Sequence, residues 1–200
     1  MQPMLLVIDM LVDFLDRWPA AERAALVAAI RAVVDAFRAA GRPVLWVRQE
    51  FAPDLTDAFL EMRHDNIRIT IAGTPGSRII PELAPGPDDL HVIKKRYSAF
   101  FGTQLDEIIR QRGVDTLVLA GINTHACVRM AAIDAYQRDL AVIIAREAVG
   151  SGDREHAAVS LRYMDGKIAE VVPVADVAAR IGGAVPCHPP KRPSSFGGGP

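Results

Sequence analysis

Short unbroken apolar runs alternate along this chain with longer stretches in which apolar residues recur every three or four positions. The apolar runs are "MLLVI" (4–8), "PVLWV" (43–47), "LHVI" (90–93), "TLVLAG" (116–121), "LAVIIA" (140–145) and "IAEVV" (168–172). Short continuous runs of this kind suit strands buried on both faces. Between them, residues 20–40, 103–113, 126–138, 153–164 and 174–181 carry helical spacing. The first of these helices stops at Gly41, and the second runs from Thr103 to Gly113. A hydroxyl side chain satisfies free N–H groups at a helix start, and glycine tolerates the left-handed turn that ends one. Residues 48–89 are less regular, with Pro and Gly punctuation and one short helix predicted near 55–63.

Strands alternating with helices across short connections predict an α/β fold. The expected form is a three-layer, Rossmann-like arrangement, with a central, mostly parallel sheet of about six strands and helices on both faces. No internal repeat is visible. The 200 residues suffice for one such domain, placed at 1–182. Residues 183–200, rich in Pro and Gly and without apolar periodicity, are expected to form a flexible tail.

Composition narrows the function classes. Formal net charge is −1, with 23 basic and 24 acidic residues mixed along the chain, so no electrostatic footprint for nucleic acid or an anionic membrane is present. No apolar run approaches the ~20 residues that cross a bilayer. The start "MQPMLLVIDM" lacks the basic leader and small-residue cleavage site of a secretory signal. The two cysteines, Cys127 and Cys187, argue against a disulfide framework and predict a reducing, cytoplasmic setting.

In an open parallel sheet the ligand crevice lies beyond the carboxyl ends of the strands. Asp9 directly follows the first apolar run, Lys94 follows "LHVI", and the segment Gly121 to Cys127 follows "TLVLAG". A carboxylate, an ammonium and a thiol are thus expected at one sheet edge from three separate strands. A thiol becomes nucleophilic when ionised, and a neighbouring cation or a helix N-terminus lowers its pKa. Asp9 is placed to take the thiol proton and return it to a leaving group, and backbone N–H groups of the turn 122–127 to hold an oxyanion. This is the equipment for cysteine-based hydrolysis of an amide or a related carbonyl compound.

Taken singly, each residue has a plainer reading. Cys127 is then a small buried hydrophobe, Asp9 a turn cap, and Lys94, within "KKR", part of a solvated face. Their joint position at strand ends shifts the balance. No metal is expected, since His125 and Cys127 lack a second ligand pair at zinc-site spacing, and His64, His91, His156 and His188 are scattered. No cofactor is expected either, because "GTPGS" (73–77) leads into "RIIPEL", broken by Pro81, and reads as a turn. His156, on a predicted helix face, is an alternative Cys–His partner. Arg96, Tyr97, Phe100 and Phe101 follow Lys94 and either line a pocket or pack the next helix.

"LLVIDMLVDF" and "VIKKRYSAFFGTQLDEIIRQRGVDTLVLAGINTHACVRMAAIDAYQRDLAVIIAREAVGS" resemble the first strand and the central block of the isochorismatase-like cysteine hydrolases. That family includes nicotinamidases, N-carbamoylsarcosine amidases and ureido-group amidohydrolases, and the resemblance covers roughly residues 4–180. It implies that Asp9 is the proton-shuttling carboxylate, Lys94 the catalytic lysine and Cys127 the nucleophile. Lys94, not Lys95, stands four residues before Ser98, as the family's lysine does. The resemblance also implies a cis peptide at Ile122–Asn123, with the amides of Asn123 and Cys127 forming an oxyanion hole.

Two departures matter. Leu11 stands where the family commonly has Gln, and "VRQEFAPD" lacks the Asp-x-His metal motif of nicotinamidases. The ether-cleaving isochorismatase branch typically lacks the nucleophilic cysteine, so Cys127 favours amide or ureide substrates. The expectation is a cysteine hydrolase that cleaves a C–N bond of a small amide, carbamoyl or ureido compound through a thioester. Its rivals are isochorismatase-type vinyl-ether hydrolysis by Asp9 without covalent catalysis, and a catalytically inactive binding or scaffold protein of the same fold. Specificity is expected to come from residues 48–89 and from pocket residues Phe14, Tyr97, Phe100 and His125. The expected partners are a small-molecule substrate and further copies of the chain, as a dimer or tetramer, with no nucleic acid and no membrane.

Overall fold

A computed structural model describes residues 1–181; the expected tail at 183–200, with Cys187, lies outside the described residues. Six strands form one sheet: β1 (Pro3–Ile8), β2 (Val44–Gln49), β3 (Leu90–Lys94), β4 (Thr116–Ile122), β5 (Ala141–Gly150) and β6 (Glu170–Val172). All their pairings are parallel, in the order β3-β2-β1-β4-β5-β6. Helices α1 (Val12–Leu15), α2 (Ala20–Ala39), α3 (Leu60–His64), α4 (Leu105–Arg112), α5 (Arg129–Tyr136), α6 (Arg154–Met164) and α7 (Val174–Ile181) connect them. The chain runs outward from β1 to β3, then returns to place β4 on the other side of β1. That reversal opens a crevice between the carboxyl ends of β1 and β4.

Successive side chains of a strand point to opposite faces, and this divides the core in two. Met4, Leu6 and Ile8 of β1 join Val47, Leu117 and Ile144 beneath α4, α5 and α6, which contribute Leu105, Ile109, Ala131, Ala135 and Met164. Leu5 and Val7 join Trp46, Val118 and Ile143 beneath α2 and α7, which contribute Ile30, Val33, Phe37, Val177 and Ile181. Both faces of the sheet are therefore covered, and the unbroken apolar runs follow from that.

Several boundaries move, each for a local reason. The predicted helix over 103–113 begins at Leu105, because the Thr103 hydroxyl accepts the Leu105 N–H at 3.2 Å and donates to the Ala99 carbonyl at 2.6 Å. The helix expected from 126 opens instead with a π-helical turn, Thr124–Val128, ahead of α5. Strand β5 outlasts its apolar run: after a register shift, Val149 and Gly150 pair with Gly121 and Ile122 of β4. Residues 48–89 build a small core of their own from Phe51, Leu55, Ala58, Met62 and Ile71. Gly121 is required where it stands: its φ is +110°, and a Cβ there would lie 2.0 Å from the Ile8 carbonyl oxygen.

Candidate active site

Asp9 is the first residue after β1. Its backbone, at φ +54°, turns away from the sheet, and its N–H donates to the Val47 carbonyl at 2.9 Å. The carboxylate is held from two sides. Oδ1 accepts the backbone N–H of Gln49 at 2.8 Å, and Oδ2 lies 2.7 Å from Lys94 Nζ. Lys94 ends β3, where the inward positions alternate, so its side chain enters the core. Its Nζ also donates to the Arg96 carbonyl at 3.1 Å and reaches Cys127 Sγ at 3.4 Å. Lys95 turns elsewhere, to Asp57 at 2.8 Å and the Glu50 carbonyl at 2.5 Å.

Cys127 lies in the π-helical turn beyond β4. The Ile122–Asn123 peptide is cis, and the Asn123 carbonyl accepts the N–H groups of Ala126 at 3.0 Å and Val128 at 3.2 Å. Side chains from β1, β3 and the turn after β4 thereby meet, with Asp9 1%, Lys94 0% and Cys127 4% exposed.

Their charges are coupled. Burial pushes the Cys127 thiol up from 9.0 to about 12, the Asp9 charge adds to the rise, and the Lys94 ammonium opposes it. Burial pulls Lys94 down, but the negative charges of Asp9 and Cys127 outweigh it and hold Lys94 above its ordinary value. The geometry is an ammonium–carboxylate contact beside a thiol whose ionisation burial opposes. Releasing the thiol proton to water would leave a net negative charge buried among apolar side chains. Passing it to Asp9 keeps the trio neutral, as a carboxylic acid, an ammonium and a thiolate, and so avoids that desolvation cost.

Asp9 and Cys127 border a cleft of about 160 Å³, whose wall also includes Phe14, Tyr97, Asn123 and His125, with Lys94 buried behind them. A larger depression of about 580 Å³ lies at the opposite, amino ends of β2 and β3, where Arg38 is bound to Asp89 at 2.5 Å. It includes none of the trio, so size alone does not locate the chemistry. Among the described residues no group of three or more His, Cys, Asp or Glu side chains stands where it could hold a metal ion. Among the same residues no helix is long and apolar enough to cross a membrane.

The isochorismatase domain family matches residues 3–176. The chain belongs to the isochorismatase family. The phenazine biosynthesis protein PhzD1 of Pseudomonas aeruginosa is 37% identical over 105 residues, 52% of this chain and 51% of its own length. The ureidoacrylate amidohydrolase RutB of Methylorubrum extorquens is 34% identical over 135 residues, 60% of this chain and 54% of its own. The match thus spans about half the length of these two relatives. The crystal structure of N-carbamoylsarcosine amidase from Thermoplasma acidophilum superposes with a TM-score of 0.74 at 33% identity, covering 87% of this chain and 97% of that one.

In this isochorismatase-family chain Phe14, Tyr97 and His125 line the cleft, whereas Phe100 does not. Its N–H donates to Ser98 Oγ at 3.1 Å, Ser98 is bound to Asp134, and the ring is packed in the core beneath the Arg138 guanidinium, 4.3 Å from its centroid. Asp153 caps α6 by accepting the His156 N–H at 2.9 Å, and His156 Nδ1 lies 2.7 Å from the same carboxylate, so its imidazole is engaged there and not with Cys127. His125 is hydrogen-bonded through Nδ1 to Ser151 Oγ at 2.6 Å. Gln49 also lines the cleft, unforeseen because its apolar run ends at Val47 while the strand continues. The position two beyond Asp9 is apolar in fact as in sequence: Leu11 is fully buried and bridges to Ile79.

Proposed function

We propose that this protein is a cysteine hydrolase that cleaves a C–N bond of a small amide, carbamoyl or ureido compound through a thioester intermediate. The observation that carries the proposal is Cys127 Sγ at a small cleft, 3.4 Å from Lys94 Nζ, which is itself 2.7 Å from Asp9. Asp9 takes the S–H proton as sulfur attacks the carbonyl carbon. Negative charge moves to the carbonyl oxygen, which the amides of Asn123 and Cys127 receive, while Lys94 stabilises the thiolate and the carboxyl group in turn. The C–N bond breaks as Asp9 passes its proton to nitrogen, and ammonia or an amine leaves. Water then gives a proton to Asp9 and attacks the thioester; the acid departs, and Cys127 recovers its proton.

Family membership supports a hydrolase, and two of the relatives act, by name, on C–N compounds. The same Asp9, working as an acid on a vinyl ether, is the rival that leaves Cys127 idle. The test is ammonia release from a panel of small amides, carbamoyl compounds and ureides, with intact-mass detection of an acyl-enzyme. Cys127→Ala should lower turnover by more than ~10³-fold and abolish the acyl adduct. Wild-type rates in that variant on a genuine substrate would refute covalent catalysis and favour the ether reading.

A further inference from the structure

The depression of about 580 Å³ at the amino ends of β2 and β3 takes no part in the proposed reaction. Three guanidinium groups reach it: Arg38 from the last turn of α2, Arg42 from the turn into β2, and Arg112 from the end of α4. A cation at a helix C-terminus offsets the helix dipole, which accounts for Arg38 and Arg112 singly. It does not account for the way Arg38 is fixed. Asp89, its side chain only 8% exposed, accepts Arg38 Nη2 at 2.5 Å, Trp46 Nε1 at 2.8 Å and the Gly86 N–H at 2.7 Å. A Cβ at Gly86 would lie 3.2 Å from Arg38 Nη2, so the loop before β3 closes on that guanidinium where a side chain would crowd it.

The charges left over choose the ligand. Arg38 is matched by Asp89. Arg42 uses Nη1 on a neutral partner, Gln2 Oε1, at 2.6 Å, and Arg112 makes no hydrogen bond or ion pair among the described residues. Arg42 and Arg112 thus face the depression unmatched, opposed by the exposed carboxylate of Asp88. Guanidinium forks pair with phosphate oxygens, and a phosphate monoester carries about −1.5 to −2 at pH 7. One such group satisfies the two arginines, whereas a triphosphate would bring excess charge against Asp88. Pro43, Val44 and Leu90 add an apolar wall for an organic part, and the volume is that of a small-molecule site. We propose that this depression is a second, non-catalytic binding site, for a small organic phosphate monoester. Strand β2, six residues long, sets it about 20 Å from the catalytic cleft.

Calorimetric titration at constant ionic strength tests it, with ribose 5-phosphate and AMP as the probes and ribose, inorganic phosphate and ATP as comparisons. At least one monoester should bind with a Kd below about 1 mM, tighter than inorganic phosphate and no weaker than ATP, and ribose should give no heat. Arg42→Gln and Arg112→Gln should each weaken that monoester by about tenfold, the loss expected for a charge-assisted hydrogen bond. Arg112 engages no other polar group among the described residues, so its variant should keep the wild-type melting curve. Arg162→Gln removes the same charge from an exposed position on α6 and should leave the Kd within about twofold. Absence of binding by both monoesters overturns the proposal. So does an equal loss in Arg162→Gln, which would mean attraction to net charge, or tighter binding of inorganic phosphate or ATP. A monoester that shields Cys127 from iodoacetamide and ignores Arg112→Gln binds in the catalytic cleft, and that result overturns it too.

Discussion

Replacing Cys127 by Ala should change how stability depends on pH, and the sign of the change reports the resting state of the thiol. Burial, reinforced by Asp9, raises the thiol from 9.0 to about 12. The unfolded chain releases this proton near pH 9, while the folded chain holds it. Between those values the unfolded state binds fewer protons, so stability falls as pH rises. Each unit is worth about 1.4 kcal/mol, so from pH 9 to about 10.5 the wild type should lose about 2 kcal/mol through this group. The Ala variant cannot lose it. Removing the sulfur also costs packing, about 1 kcal/mol, but that offset is independent of pH. Lys94, held above its ordinary value, stabilises fully below its unfolded pKa of about 10.4 and therefore barely enters this window. Urea unfolding of both proteins between about pH 7.5 and 10.5 should show a small deficit for the variant that shifts in its favour by about 2 kcal/mol. Parallel curves would refute the buried neutral thiol. The opposite trend, with the wild type gaining on the variant between about pH 5 and 9, would mean a resting thiolate with a depressed pKa.

Lys94→Met leaves the Asp9 carboxylate buried without its counter-ion and should destabilise by about 3–5 kcal/mol in the same assay; a loss under about 1 kcal/mol would contradict the buried pair. Lys95→Met removes a partly exposed contact with Asp57 and should cost at most about 1 kcal/mol with turnover unchanged, whereas lost turnover would shift the proposed role to Lys95. Gly121→Ala forces a Cβ against the Ile8 carbonyl at φ +110° and should cost more than about 3 kcal/mol, so a wild-type melting temperature would refute the close approach of β1 and β4. Light scattering should find a dimer or tetramer, and a monomer at working concentration would remove that expectation.

Asp9, Lys94 and Cys127 were legible as a set because a parallel sheet brings the carboxyl ends of its strands, and the turns that leave them, to one edge. Gln49 was not legible. Hydropathy ends its strand at Val47, yet the pairing of Arg48 with Ile93 and Gln49 with Lys94 carries β2 two residues further. Ser151 was missed for the same reason, since it directly follows Gly150, to which β5 extends only through its late pairing with β4. Phe100 was misplaced because an aromatic residue beside a site looks the same in sequence whether it lines a pocket or fills a core. Contacts from Asp134 and Arg138, more than thirty residues further along the chain, turn it inward.

Periodicity is a local property, and it determined what local forces determine: the strands and helices in their order, the α/β class, and which chemical groups stand at strand ends. The order β3-β2-β1-β4-β5-β6, the cleft and its wall, and the upward push of burial on the thiol were decided by tertiary structure alone. Strand order depends on how covered faces pack, and a thiol's pKa depends on burial and on charges a few ångströms away. Residues 9, 94 and 127 come within that range only when the sheet has closed around them.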